Sequence, residues 1–269
     1  MLLLQLTLGL GLSALIGLVA YRRGSLSRSG VVGAMLVGTI IFGFGGWAWG
    51  ILLVVFFVSS SVLSHFKESR KASLAEKFSK GHQRDLAQTL ANGGAGALLA
   101  LANFFWPNPM WWVAFVAAMA TVTADTWATE LGVLSKTQPR LITTGKSVEV
   151  GTSGGITLAG TLAALGGAAL IGLVAALFEA TNRPVLVLVS MAAGLGGSWV
   201  DSFMGATVQA IYLCDSCGKE TERYPMHTCG TLARTRPLRG WRWLDNDWVN
   251  FISSAAGAAL AALIDGFLF

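Results

Sequence analysis

Met110-Trp-Trp-Val-Ala-Phe-Val-Ala-Ala-Met-Ala-Thr121-Val-Thr-Ala-Asp125-Thr-Trp-Ala-Thr-Glu130-Leu-Gly132-Val133 decides the fold. It is apolar for longer than the roughly 20 residues that an α-helix needs to cross a bilayer. Yet it carries two carboxylates toward one end. An ionisable side chain inside a span costs several kcal/mol unless it faces a polar cavity or a partner, so each one marks a candidate site. The stretch is therefore both a membrane helix and a piece of polar machinery.

Seven comparable runs flank it: Leu2–Ala20, Val31–Phe44, Trp47–His65, Leu86–Trp106, Gly154–Phe178, Pro184–Leu213 and Trp248–Phe269. Together they give about eight spans, the second short and the seventh long. Composition agrees, with 54% hydrophobic residues, 12% charged and a mean hydropathy of +0.61. A water-soluble domain carries about twice that charged fraction. Leu2–Ala20 reads as a first span rather than a leader, because no positive segment precedes it and no small-residue cleavage site ends it. The predicted fold is all-α: one polytopic membrane helix bundle over 1–269 with glycine-broken segments and a Cys/His loop at 214–247.

The basic residues test the span count. Arg22, Arg23 and Arg28 follow the first span, and Lys67, Arg70, Lys71, Lys77, Lys80 and Arg84 follow the third. Lys136, Arg140 and Lys146 follow the fifth; Lys219, Arg223, Arg234, Arg236, Arg239 and Arg242 follow the seventh. Of the 19 Lys and Arg residues, Arg183 alone falls on the other side. The positive-inside rule then sets these loops in the cytoplasm and both termini outside, as a multi-pass protein of the cell membrane. The net charge of +5 is a topology signal, and no soluble basic face points to nucleic acid.

A third carboxylate lies in Gly194-Leu-Gly-Gly-Ser-Trp-Val-Asp201-Ser202-Phe-Met-Gly205-Ala-Thr-Val-Gln209. Asp125, Glu130 and Asp201 sit beside hydroxyl and small residues, a hard-oxygen set that suits Mg²⁺. The alternative is helix–helix hydrogen bonding by protonated carboxyls. Gly194, Gly196 and Gly197 suggest a break, with a second half-helix starting near Ser198 and aiming its positive end at a phosphate. Their other reading is close helix packing. Glu149-Val-Gly151-Thr152-Ser-Gly154-Gly155 offers a similar glycine turn at the surface. Thr143-Thr-Gly145-Lys146-Ser147 resembles the end of a P-loop, but Arg140 occupies the place of its first glycine. Lys146 is left as a lone cation for phosphate.

Two loops add polar groups. Lys67 to Lys80 reads as a short basic amphipathic helix. Arg84, Asp85, Gln88 and Asn92 then recur at helical spacing, forming a stripe suited to a nucleotide or diphosphate, with a structural polar seam as the alternative. Cys214-Asp-Ser-Cys217 and His227-Thr-Cys229 supply four soft ligands, the number a tetrahedral structural Zn²⁺ takes; free thiols are the alternative. Asp245, Asn246, Asp247 and Asn250 open the last span as a metal or phosphate edge, or as a helix cap.

Taken together, Arg84-Asp85…Gln88…Asn92-Gly-Gly, Thr123-Ala-Asp125-Thr-Trp-Ala-Thr-Glu130, Gly151-Thr-Ser-Gly-Gly155, Asp201-Ser-Phe-Met-Gly205 and Asp245-Asn246-Asp247-Trp-Val-Asn250 resemble an integral-membrane prenyl-phosphate kinase family. It includes the phytyl-phosphate kinase of tocopherol synthesis and the transmembrane protein 19 relatives. The resemblance implies phosphorylation of an isoprenoid monophosphate (phytyl, farnesyl or geranylgeranyl type) to the diphosphate, with CTP or another nucleoside triphosphate. The residues then take roles: Asp125, Glu130 and Asp201 for Mg²⁺; Arg84 and Lys146 for phosphate charge. Asp85, Gln88, Asn92, Gly151, Thr152, Gly154, Gly155, Ser202, Gln209, Asn246, Asp247 and Asn250 complete the nucleotide site. A CDP-lipid-forming cytidylyltransferase or a secondary transporter would use similar features, and a homo-oligomer is compatible with any of the three.

Overall fold

The computed structural model describes residues 2–71, 83–179, 181, 183–229 and 232–268. The long helices are α1 (Leu2–Arg22), α2 (Arg28–Ile40), α3 (Trp47–His65), α5 (Leu86–Phe105), α6 (Pro109–Gly132), α7 (Leu158–Ala176), α8 (Arg183–Thr207) and α9 (Asn246–Leu268), with the short α4 (Glu68–Lys71) after α3. A π-helical turn, Ile41–Gly45, extends α2. Six of these are apolar and long enough to cross a membrane: α1, α2 with its π turn, α3, α7, α8 and α9. The remaining two, α5 and α6, are as long but carry the polar residues singled out above, which lowers their hydropathy.

Local sequence explains the helix starts. Asp85 and Gln88 form a reciprocal capping box on α5, Asn108 accepts from the Met110 N–H ahead of Pro109, and Thr157 caps α7 through the Gly160 N–H. Asp245 accepts from the N–H groups of Asp247 and Trp248 at the start of α9. Gly46 turns the chain from the π segment into α3 at φ 88°, a left-handed conformation that suits glycine.

Helix α6 is the hub. Every residue from Ala114 to Ala124 is buried, and α3, α5, α7, α8 and α9 all pack on it. Small residues make this close approach feasible: a methyl at Gly197 or Gly257 would strike Thr121, and one at Gly194 would meet Ala168 and Ala120. The outward faces carry exposed Leu3, Leu15, Leu162, Leu173, Leu188 and Leu263. An apolar surface of that extent is compatible with lipid rather than water.

Two expectations are corrected. Helix α8 runs unbroken through Gly194, Gly196 and Gly197, because those glycines serve packing against α6, α7 and α9 rather than a half-helix start. The interruption lies instead in the second span, at the π turn. The long seventh span ends at Thr207, and Ile211–Cys214 is a strand. The basic helix read over 67–80 is seen as Glu68–Lys71; its remainder, with Lys77 and Lys80, lies outside the described residues.

The loop after α8 is a folded β-module, which the all-α reading did not foresee. Strands β3 (Ile211–Cys214), β4 (Glu220–Thr221), β5 (Met226–Thr228) and β6 (Leu232–Arg239) form an antiparallel sheet in the order β4-β3-β6-β5. A smaller pair, β1 (Arg140–Leu141) and β2 (Gly155–Ile156), closes the loop before α7.

Candidate functional site

Six helix ends meet at one cavity of about 270 Å³. The ends of α3 (Ser64), α6 (Asp125, Thr126, Glu130) and α8 (Ser198, Asp201, Ser202) face the starts of α5 (Gln88, Asn92), α7 (Thr157, Thr161) and α9 (Asn246, Asn250). Arg84 and the turn Gly151–Gly155 complete the wall. Ends and starts alternate along the chain as an up-and-down bundle requires, so the basic loops share one end of the molecule.

Among the described residues no side chain hydrogen-bonds to the Asp125 carboxylate. Asp201 accepts from Ser253 Oγ at 3.2 Å. Glu130 is held differently. Its Oε1 accepts from Ser64 Oγ and its Oε2 pairs with Lys71 Nζ, both at 2.6 Å. Lys71 also caps α3 by donating to the carbonyls of Leu63 and Ser64.

Arg84 is the one basic side chain among the described residues that line the cavity. Its Nη1 donates to Ser61 Oγ at 3.1 Å, and its guanidinium stands 5.8 Å from the Phe57 ring centre. Burial lowers its pKa from the ordinary arginine value, while the Glu130 charge opposes that shift. Its backbone joins the first basic loop through paired bonds with Ser25 and Ser27.

The glycine turn is tight. Gly151 and Gly154 both lie at φ 82°, and a methyl at Gly154 would come within 2.6 Å of the Ala206 nitrogen. The turn thus lies flat on the end of α8. Ser153 Oγ donates to Gln209 Oε1 at 2.8 Å, and Gln209 Nε2 donates to Glu222 Oε1 at 3.0 Å. Arg239 Nη2 donates to the carbonyls of Ser153 and Gly205 at 3.4 and 3.2 Å.

The family model described as integral membrane protein DUF92 matches residues 11–258. This chain belongs to that family. Among DUF92 relatives, Protein PGR of Arabidopsis thaliana is 35% identical over 96% of this chain and 95% of its own. An uncharacterized membrane protein of Methanocaldococcus jannaschii is also 35% identical, over 76% of this chain and 83% of its own. Protein VTE6, chloroplastic, of Arabidopsis thaliana is 27% identical over 90% of this chain and 66% of its own. The likeness to PGR and VTE6 agrees with the family resemblance drawn from the motifs. No solved structure matches the chain.

For this DUF92 chain the cavity gathers most of the residues named from sequence: Asp125, Glu130, Asp201, Arg84, Gln88, Asn92, Gly151, Thr152, Gly154, Gly155, Ser202, Asn246 and Asn250. Four named residues do not line it. Lys146 is exposed on the β1–β2 loop, and Asp85 spends its side chain on the α5 cap. Asp247 is half-buried at the α9 start outside the cavity lining, and Gln209 is buried behind the turn that it holds.

The sequence reading missed Lys71, which is one basic residue among many in its loop. It also missed Glu222, which lies between β4 and β5 and reaches the cavity only through tertiary folding. Cys214, Cys217, His227 and Cys229 do converge, with ligand atoms within 4.8 Å of one another. The Cys217 N–H, directed at Cys214 Sγ, pulls that thiol down to about 6, whereas burial pushes Cys229 up.

A second, apolar slot of about 80 Å³ lies between α1, α2, α3 and α5. Ile16, Ala34, Val37, Leu53, Val54, Phe57 and Gly93 line it, and Arg84 and Asn92 belong to both spaces.

Proposed function

We propose that the chain is a membrane-embedded phosphotransferase that converts an isoprenoid monophosphate to the diphosphate, using CTP or another nucleoside triphosphate and Mg²⁺. One observation carries this reading: a polar cavity rich in carboxylates adjoins an apolar slot, with Arg84 at the junction. A prenyl phosphate has this shape, a charged head on a hydrocarbon chain. The slot seats the near end of the chain, and the rest lies among lipid.

Phosphoryl transfer is mainly positioning and charge neutralisation, so the protein needs no covalent nucleophile. Asp125, with no side-chain hydrogen bond among the described residues, and Asp201 offer hard oxygen ligands for Mg²⁺, while Glu130 lies at the rim, held by Ser64 and Lys71. Bound there, the cation would neutralise charge on the transferring phosphoryl group. Arg84 would hold the acceptor phosphate through its forked N–H groups. Asn92, Asn246 and Asn250 supply amide donors and acceptors at the wall, and the Gly151–Gly155 turn lets backbone N–H groups approach phosphate without interference from side chains. The motifs that resemble the prenyl-phosphate kinase family support the same chemistry.

The test is direct. Purified protein is incubated with phytyl or farnesyl monophosphate, Mg²⁺ and each nucleoside triphosphate in turn. Nucleoside diphosphate plus prenyl diphosphate is the expected product pair. A CDP-lipid with pyrophosphate would replace the proposal with cytidylyl transfer, and no turnover combined with substrate uptake into proteoliposomes would replace it with transport.

A further inference from the structure

The β-module carries a cluster that the cavity chemistry does not use. Cys214 ends β3, Cys217 follows in the β3–β4 turn, His227 lies in β5, and Cys229 follows it. Cys214 Sγ lies 3.7 Å from Cys229 Sγ, and Cys217 Sγ lies 3.7 Å from His227 Nδ1. A tetrahedron with Zn–S bonds of about 2.3 Å has edges of about 3.8 Å. A disulfide needs sulfurs about 2 Å apart, so the cluster has metal spacing rather than disulfide spacing. Cys214 and His227 are buried, and the ligands come from both ends of the sheet order. Four donors fill a tetrahedron and leave no open position for substrate.

What the cluster holds is visible in the hydrogen bonds. Glu222 lies between Cys217 and His227 in the chain, and its Oε1 accepts from Gln209, which in turn accepts from Ser153 in the glycine turn. At the end of β6, Arg239 spans Glu220 of β4 and the carbonyls of Ser153 and Gly205. The sheet therefore holds the turn through two contacts, Glu222 by way of Gln209 and Arg239 directly. Short strands of two to four residues, as β3, β4 and β5 are, hold little stability of their own.

We propose that Cys214, Cys217, His227 and Cys229 bind a structural Zn²⁺ that fixes the β-module, and through Glu222 and Arg239 fixes the Gly151–Gly155 turn at the cavity wall. The metal assignment stands independently of the reaction; the role of the turn rests on the phosphotransferase reading. Full-length protein, purified without chelator from zinc-supplemented cells, should contain about one zinc per chain by elemental analysis. Growth with Co²⁺ instead should give visible ligand-field and thiolate-to-cobalt bands of a tetrahedral sulfur-rich site, a readout that ignores activity. Cys217→Ser should lose the metal; Glu222→Gln should keep it while lowering turnover about tenfold. Protein without metal whose three thiols titrate freely in the fold, or with Cys214 and Cys229 in a disulfide, would overturn the site. Full zinc with Glu222→Gln at wild-type turnover, in a protein that is an active kinase, would overturn the coupling to the turn. Zinc present in a protein without kinase activity would sink the reaction while sparing the metal site.

Discussion

The polar cavity and the apolar slot share Arg84 and Asn92, yet they are built from opposite materials. The cavity lies where six helix ends converge and collects groups from the whole length of the chain, from Ser64 to Asn250. The slot lies between α1, α2, α3 and α5 and uses only the first third of the sequence, from Ser13 to Gly93. By close approach the two sides are alike: a methyl at Gly194, Gly197 or Gly257 in the packing on α6 would meet Ala120 or Thr121, and one at Gly38 or Gly93 on the slot wall would strike Ser13 or Val37. They differ in exposure: α1, one wall of the slot, buries Gly9, Gly17 and Ala20, whereas α6 is buried from Ala114 to Ala124. Under the proposed reaction the difference would divide the labour: a buried end would position phosphates, and a lipid-facing side would admit a chain from the bilayer. Pre-organised charge needs rigidity, whereas an apolar tail needs only dispersion contacts and exclusion of water.

The sharpest way to break that comparison is to neutralise the cavity acids. Asp125→Asn and Asp201→Asn keep size and polar contacts, including an acceptor for Ser253, and remove the charge for Mg²⁺. Turnover should fall by about a hundredfold or more. The melting temperature in detergent should hold or rise without Mg²⁺, since a neutral amide is cheaper than a carboxylate within a span. Mutants that melt early but retain wild-type turnover per folded molecule would move these acids from the chemistry to the helix seam.

Arg84→Gln tests the junction between the two spaces. Losing a charge-assisted contact to phosphate should lower kcat/KM by about ten- to a hundredfold. The loss should be similar for short and long prenyl phosphates, because the contact is to the head and not the chain. A loss confined to long chains would place Arg84 with the slot.

The smallest effect belongs to the slot itself. Ala34→Leu adds bulk to its wall and should raise KM for a phytyl-length substrate by a few-fold, since one displaced methylene is worth only about 0.8 kcal/mol. A short-chain phosphate should be turned over as before. Equal effects on both lengths, or none on either, would show that the chain binds elsewhere.

Much of this was legible in the chain. A charged residue inside an apolar run stands out against its neighbours, which is why Asp125, Glu130 and Asp201 could be named before their cavity was seen. Glycine was harder to read. Gly151 and Gly154 do make a turn with positive φ, whereas Gly194, Gly196 and Gly197 stay helical and serve contact. Both uses look alike in one dimension, because what distinguishes them is whether another helix lies alongside. Lys146 is hard to read for a related reason: a basic residue beside a glycine resembles a phosphate ligand wherever the loop points, and here it stands exposed outside the cavity lining.

The amino-acid sequence by itself determined the membrane class, the positions of the helices, the alternation of basic loops and the identity of the intramembrane acids. These depend on hydropathy, charge and capping, which act over a few residues and hardly need a partner segment. Only the tertiary structure decided that Glu130 is bound to Lys71 and that Glu222 enters the cavity wall. It alone brought Cys214, Cys217, His227 and Cys229 to metal spacing within a sheet, and opened an apolar slot beside Arg84. Those features are distances between residues far apart in the chain, and they exist only once helices and strands have packed.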